Sequence, residues 1–288
     1  MRKIIDSLTE KIIFICGMLS IVFVILIFSF LFKEGFSFFK HFGCIKFVFG
    51  TLWYPTSEPA QFGILPLIIG SFLVTLGACI VAIPIGIMTA LYISEIAPKY
   101  LRDILKFLVE LIATIPSVVI GFVGMIFFVP VVKLVFKVPT GLTAFSGAIM
   151  LAFMAIPTIV TISEDAIHSV PCHYREGALA LGATKWQTIR RVVLKAAMPG
   201  IIAAVMLAIG RVVGETMAVM MITGNAASIP HSVFSPVRTM TATIAAEMGE
   251  TVRGSMHYQA LFAIGLVLFV ITFIINFIAD LLLETKRK

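Results

Sequence analysis

Charged residues cut the chain into long apolar runs. A hydrocarbon core takes roughly 20 residues of helix to cross, and residues 12–32 form the first uncharged stretch of that length. The next, between Glu58 and Glu95, is too long for one span. Its start, from Pro59 to Pro66, has turn character, which leaves 67–94 as a second helix, tilted or broken at Pro84. Residues 111–132, 138–163 and 258–279 supply a third, a fourth and a last span, and 200–222 reads as a fifth although it contains Arg211 and Glu215. The pattern predicts an all-α integral membrane protein with six transmembrane helices.

Two features lie inside those spans. Ala78, Ala82, Gly86, Ala90 and Ser94 recur every fourth residue, a ridge of small side chains on one helix face. Such a ridge suits either a sliding surface or ordinary tight packing. Pro84, Pro116 and Pro157 fall inside or near the middle of three successive spans, where each removes a backbone hydrogen bond and bends its helix.

Composition agrees with the pattern and narrows the function classes. Of 288 residues, 60% are hydrophobic and 13% charged, against about 45–50% and about 25% in soluble domains. An ordinary globular enzyme, a disordered chain and a nucleic-acid module are excluded; the solvent is a lipid bilayer. The net charge of +7 is a topology signal, because 14 of the 22 Lys and Arg fall on alternate connecting segments together with the two ends. Both termini of this multi-pass protein are therefore expected in the cytoplasm. Met1-Arg2-Lys3 ahead of an apolar run could open a secretory signal, but the run is long and no small-x-small site closes it, so a retained helix is expected. The outer stretch 33–66, with Trp53, Tyr54 and Pro55, suits an interfacial element.

Cys16, Cys44, Cys79 and Cys172 are scattered without metal-ligand spacing, so neither a metal site nor a disulfide framework is expected, and no cofactor. Cys16 and Cys79 read as small packing residues, Cys172 as a loop thiol.

The fifth span carries the chemistry. Arg211 and Glu215 are four residues apart, hence on one face of a continuous helix and able to touch. Counted from Gly200 at about 1.5 Å per residue, Arg211 lies near the midplane of a core about 30 Å thick. A buried pair there either locks helices together or marks a solute path. Arginine suits an oxyanion, because its planar fork offers several donors and keeps its charge. Gly210, Gly214 and Thr216 would allow a solute or backbone to come close. Arg211, Glu215 and Thr216 are the candidate substrate-path residues.

Between 164 and 199 the chain leaves the membrane as a helical hairpin. Residues 174–181 read as a short helix, Gly182 as its stop, and Thr184 to Gln187 as a capping box opening a second helix. With Trp186, Ile189 and Val193 on one side and Arg190 and Arg191 on another, the hairpin could lie on an anionic membrane surface or dock a partner.

The run Glu176-Gly177-Ala178-Leu179-Ala180-Leu181-Gly182, followed by Val192 and Leu194, resembles the EAA loop of ABC-importer permeases, E-A-A-x3-G-x9-I-x-L-P, with Gly177 for the first Ala and Lys195 for the Pro. In that family the loop docks into the ATP-hydrolysing subunit, which implies a coupling role for Glu176, Gly177, Ala178 and Gly182, and for Trp186 close by. The run from Gly210 to Val219, G-R-V-V-G-E-T-M-A-V, with Gly224-Asn225 after it, is similar to the signature of one of the two permease subunits of bacterial phosphate importers. Residues 111–121 and 266–272 are similar as well, and the resemblance spans about 67–283. It implies the type I ABC-importer permease fold, a place in the bacterial inner membrane and import of inorganic phosphate by alternating access. It also implies a heterodimer with a PstA-like permease subunit, two PstB-like ATP-binding subunits inside and a PstS-like phosphate-binding protein outside. The division expected is an N-terminal helix and outer loop at 1–66 and a five-helix permease core at 67–285. The chain has no G-x4-G-K-[ST] phosphate loop, so it is not itself the ATPase. A permease for sulfate or molybdate, or a proton-coupled secondary transporter, would also use Arg211 and Glu215; the second leaves the hairpin without a role. For an intramembrane enzyme there is no H-E-x-x-H and no nucleophile with a paired base.

Overall fold

The computed structural model describes residues 2–287 of the chain. Among them, six helices are long and apolar enough to cross a membrane: Thr9–Phe42, Leu65–Ile96, Ser117–Phe136, Ala144–His168, Lys185–Gly214 and Met256–Ile278. The number agrees with the hydropathy pattern, while several boundaries move for identifiable reasons.

Helix α1 (Arg2–Phe42) runs well past the uncharged stretch. Most of its large apolar side chains between Ile12 and Phe28 face outward, as a lipid-facing helix requires, and Cys16 is exposed with them rather than packed. The short helix α2 (Cys44–Phe49) and a two-stranded hairpin, β1 (Trp53–Tyr54) and β2 (Gln61–Phe62), fill the rest of the stretch 33–66. This stretch is packed, not merely interfacial. Phe38, Phe47, Trp53 and Phe62 are buried in one cluster with Leu67, Met240, Leu261 and Ile264.

Helix α3 (Leu65–Leu91) contains Pro84 and continues into a π-helical turn, Tyr92–Ile96. Helix α4 (Lys99–Ala113) is amphipathic and has no buried residue. The third span therefore begins later than hydropathy placed it. Leu111 belongs to α4, and Pro116 is the N-cap of α5 (Ser117–Val123) rather than a mid-span kink. A π-helical turn, Gly124–Phe128, joins α5 to α6 (Val129–Phe136), which ends at Lys137 in left-handed backbone.

Helix α7 (Ala144–His168) is the hub. The Thr143 hydroxyl accepts from the Ser146 N–H and sets its start, six residues beyond the expected boundary. Its main neighbours are α3 and α10 (Leu194–Gly214). The small-residue ridge of α3 is what allows the approach: Ala78, Ala82, Gly86 and Ala90 are buried, and a Cβ on Gly86 would lie 2.7 Å from Ile159 Cγ2. That clearance identifies the ridge as a tight packing seam. Helix α8 (Cys172–Ala180) ends in a turn at 181–184, after which the one-turn α9 (Lys185–Thr188) and a π-helical turn, Ile189–Val193, lead into α10 without leaving helical geometry. Within 164–199, residues 164–168 finish α7 and 185–199 form one continuous helical run with the rest of α10. Two short helices, α11 (Met217–Ile222) and α12 (Met240–Glu247), precede α13 (Met256–Arg287), which packs along α1.

Candidate functional site

Helix α10 ends at Gly214. Glu215 has extended backbone (φ −68°, ψ 134°) and Thr216 is the N-cap of α11, so the fifth span is interrupted at the residues singled out by sequence. Gly214 is a poor helix residue and Thr216 a β-branched one, and both lower the cost of stopping there. Non-helical backbone at membrane depth is tolerated only inside protein or beside a water-filled cavity.

The break separates the expected ion pair. Arg211 donates from Nη1 to the Thr158 hydroxyl at 3.0 Å. Glu215 turns to α11, where its Oε1 accepts from the Ala218 N–H at 3.3 Å. The i, i+4 argument required a helix continuous through Glu215, and that condition fails. Thr158 lies midway along α7, so the guanidinium does sit at mid-span. Arg211 is exposed in this chain, and a Cβ added at Gly210 or Gly214 would meet nothing within 4 Å. The arginine therefore lies on a face of α10 that the rest of this chain leaves uncovered.

Helix α12 holds the break in place. The Thr241 hydroxyl donates to the Glu215 carbonyl at 2.9 Å, and the Met240 N–H donates to Ser71 Oγ on α3 at 2.9 Å. A cavity of about 10 Å³, the room one water needs, is lined in part by Ser71, Thr75, Glu215, Thr239 and Thr241. The Thr216 hydroxyl donates to the Gly214 carbonyl. Sequence reasoning missed Thr158, Ser71 and Thr241; isolated hydroxyls in apolar runs were the available signal. It also missed Glu247, whose carboxylate accepts from Trp53 Nε1 at 3.1 and 3.2 Å and from Arg238 at 2.6 Å, and meets His257 Nε2 at 2.8 Å. Trp53 is thus a buried strut between the β1–β2 hairpin and α12, not an interfacial anchor.

On the opposite face the sequence-predicted coupling residues form one exposed surface. Glu176, Gly177, Gly182 and Trp186 are exposed and Ala178 partly so. The turn is built as expected. Gly182 has φ +83°, its N–H donates to the Leu179 carbonyl, and Thr184 and Gln187 form a reciprocal capping box. The membrane-anchor alternative loses two of its three apolar residues, because Ile189 and Val193 are buried against Ala90, Ile93 and Ile167 and only Trp186 of that stripe stays exposed.

Beside this surface, buried Glu164 at the end of α7 accepts from Arg102 at 2.8 Å and Lys106 at 2.7 Å, both on α4. Lys106 also reaches Asp165, and Arg102 meets His168 Nδ1. The hydrogen bond to Glu164 holds the Lys106 ammonium above the ordinary lysine range. A raised lysine value means the contact is complete below the ordinary value and lost only as pH rises through the raised one, so the α4–α7 clasp persists across neutral pH.

A six-span helical protein with a transmembrane helix broken beside an arginine and an exposed helical hairpin between two spans fits a transport permease, and the chain belongs to the binding-protein-dependent transport system inner membrane component family, which it matches over residues 82–288. It is thus a multi-pass inner-membrane protein. It is 41% identical over 244 residues to the probable ABC transporter permease protein YqgH of Bacillus subtilis (strain 168), an alignment covering 85% of this chain and 79% of that protein. It is 34% identical over 272 residues to the phosphate transport system permease protein PstC of Haemophilus influenzae, covering 86% and 85%. Among solved structures, a bacterial ABC transporter involved in the import of the acidic polysaccharide alginate contains a chain that superposes with a TM-score of 0.68 at 17% identity, covering 100% of both chains. That likeness establishes the type I ABC-importer permease fold.

Proposed function

We propose that this chain is the PstC-type permease subunit of an ATP-driven importer and carries inorganic phosphate inward by alternating access. The observation that carries the reading is the break of the fifth span beside Arg211, whose guanidinium lies level with the middle of α7 on a face that this chain leaves uncovered. A discontinuous helix at that depth is how many transporters build a solute site, and a guanidinium fork binds tetrahedral oxyanions with charge-assisted hydrogen bonds. Relatives named for phosphate transport support phosphate over sulfate or molybdate. Arg211 is the primary solute contact, Thr216 lies at the break, and Glu215 shapes it through α11. The partners are a PstA-like permease subunit, PstB-like ATP-binding subunits seated on Glu176, Gly177, Ala178, Gly182 and Trp186, and a PstS-like phosphate-binding protein on the outer face.

In liposomes holding the four kinds of subunit, labelled phosphate should enter when ATP is supplied to the cytoplasmic side and no ion gradient is present. Sulfate and molybdate in excess should leave the rate unchanged. Uptake that follows a proton gradient without ATP would make the chain part of a secondary transporter, and competition by sulfate would reassign the solute.

The charge distribution supports both termini and the hairpin on the cytoplasmic side. In a cysteine-free background, Ile5→Cys and Lys286→Cys should react with a membrane-impermeant thiol reagent only after lysis, whereas Ser57→Cys should react in intact spheroplasts. Labelling of all three in spheroplasts would overturn that orientation.

A further inference from the structure

Helix α8 has no buried residue, so apolar packing alone does not fix it to the spans beside it. Among the described residues, its side-chain hydrogen bonds to the spans come from Arg175. The guanidinium donates from Nε and Nη2 to Glu95 Oε1 at 3.1 and 2.6 Å, from Nη2 to the Ile167 carbonyl at 3.0 Å, and from Nη1 to the Val170 carbonyl. Both charged groups are largely withdrawn from water, Glu95 at 10% and Arg175 at 24% side-chain exposure. Glu95 lies in the π-helical turn that continues α3. One planar group therefore joins three pieces: the docking helix, the end of α7 and the end of α3.

The far part of α3 reaches the solute break. Ser71 accepts from the Met240 N–H that starts α12, and Ser71 and Thr75 line the small cavity shared with Glu215. Between those points α3, with Pro84 inside it, is seated along α7 through its small-residue seam, which suits the two packed helices to shift together.

We propose that Arg175 is a positioning residue for transport, passing displacement of the docking helix through Glu95 into α3 and so to the break at Glu215. The inference rests on the reading of the hairpin as the seat of the ATP-hydrolysing subunit. An arginine suits the task because its fork can hold a carboxylate and two carbonyls at once in fixed geometry.

The test uses the whole reconstituted complex and reads phosphate taken up per ATP hydrolysed, beside co-purification of the ATPase, basal hydrolysis and melting temperature. Glu95→Ala and Arg175→Ala should each lower uptake per ATP about tenfold, within the range of coupling between linked sites. The ATPase should still co-purify and basal hydrolysis should stand. The double variant should be no worse than either single one, because both remove the same link. Should Glu95→Ala fail to accumulate, Glu95→Gln reads the same ratio with shape retained. An unchanged ratio, or losses that multiply in the double variant, overturns the proposal, as does a fall in abundance with the ratio intact. The Gly182→Pro variant discussed below separates the two readings. If it uncouples while the Glu95 variants do not, only the Arg175 link fails; if it leaves coupling normal, the docking surface itself is misassigned.

Discussion

Arg211→Gln is expected to abolish most phosphate uptake while leaving the protein in the membrane at near-normal abundance. The glutamine keeps hydrogen-bonding capacity but loses the charge and the fork, so one charge-assisted hydrogen bond to the oxyanion, about 1.5–3 kcal/mol, should be missing, a loss of roughly 10–150-fold in rate. Stability should change little, because Arg211 is exposed, its hydrogen bond goes to the neutral Thr158 hydroxyl, and Glu215 is engaged with the α11 backbone. No buried carboxylate is orphaned. A structural pair would behave otherwise, since removing one partner of a buried pair costs about 3–5 kcal/mol. The measurements are uptake in the reconstituted complex and melting in detergent. The double variant Arg211→Met with Glu215→Leu sharpens the test. Two groups that do not pair cannot rescue each other, so it should remain inactive; full transport by that variant would refute a solute role for Arg211.

The second large effect is expected at the hairpin. Gly182→Pro should abolish solute-stimulated ATP hydrolysis, by at least about tenfold on the scale of inter-site coupling, with the permease still inserted. Gly182 has φ +83°, whereas proline fixes φ near −65°, and proline also removes the N–H that donates to the Leu179 carbonyl at 2.9 Å. The turn cannot form, and α8 loses its orientation relative to Trp186. Space is not the constraint, since a Cβ at Gly182 would meet nothing within 4 Å. Gly182→Asn, which tolerates left-handed backbone, should therefore keep much of the coupling. Normal stimulation in the proline variant would reduce the hairpin to a surface helix.

Local order in the chain was enough for some of this. Six crossings follow from apolar length alone, because every span must satisfy its backbone within itself. Gly182 as a helix stop and the Thr184–Gln187 capping box were legible because their hydrogen bonds close within a few residues. The small ridge on α3 was visible as a four-residue repeat, and its seat on Ile159 shows why those side chains must be small.

Tertiary structure decided what depends on neighbours remote in sequence. Arg211 and Glu215 have the spacing of a pair, yet the helix stops between them, and each takes the partner that folding brings near, Thr158 from α7 and Ala218 from α11. Trp53 read as an interfacial aromatic, but Glu247 accepts its N–H across 194 residues. Ile189 and Val193 had the stripe of a membrane anchor, and the ends of α3 and α7 bury them instead. Glu95 and Arg175 meet across 80 residues. Hydropathy and helical period report which side chains must leave water; they carry no term for which polar group, once withdrawn from water, finds which other, and that choice is made only when the helices pack.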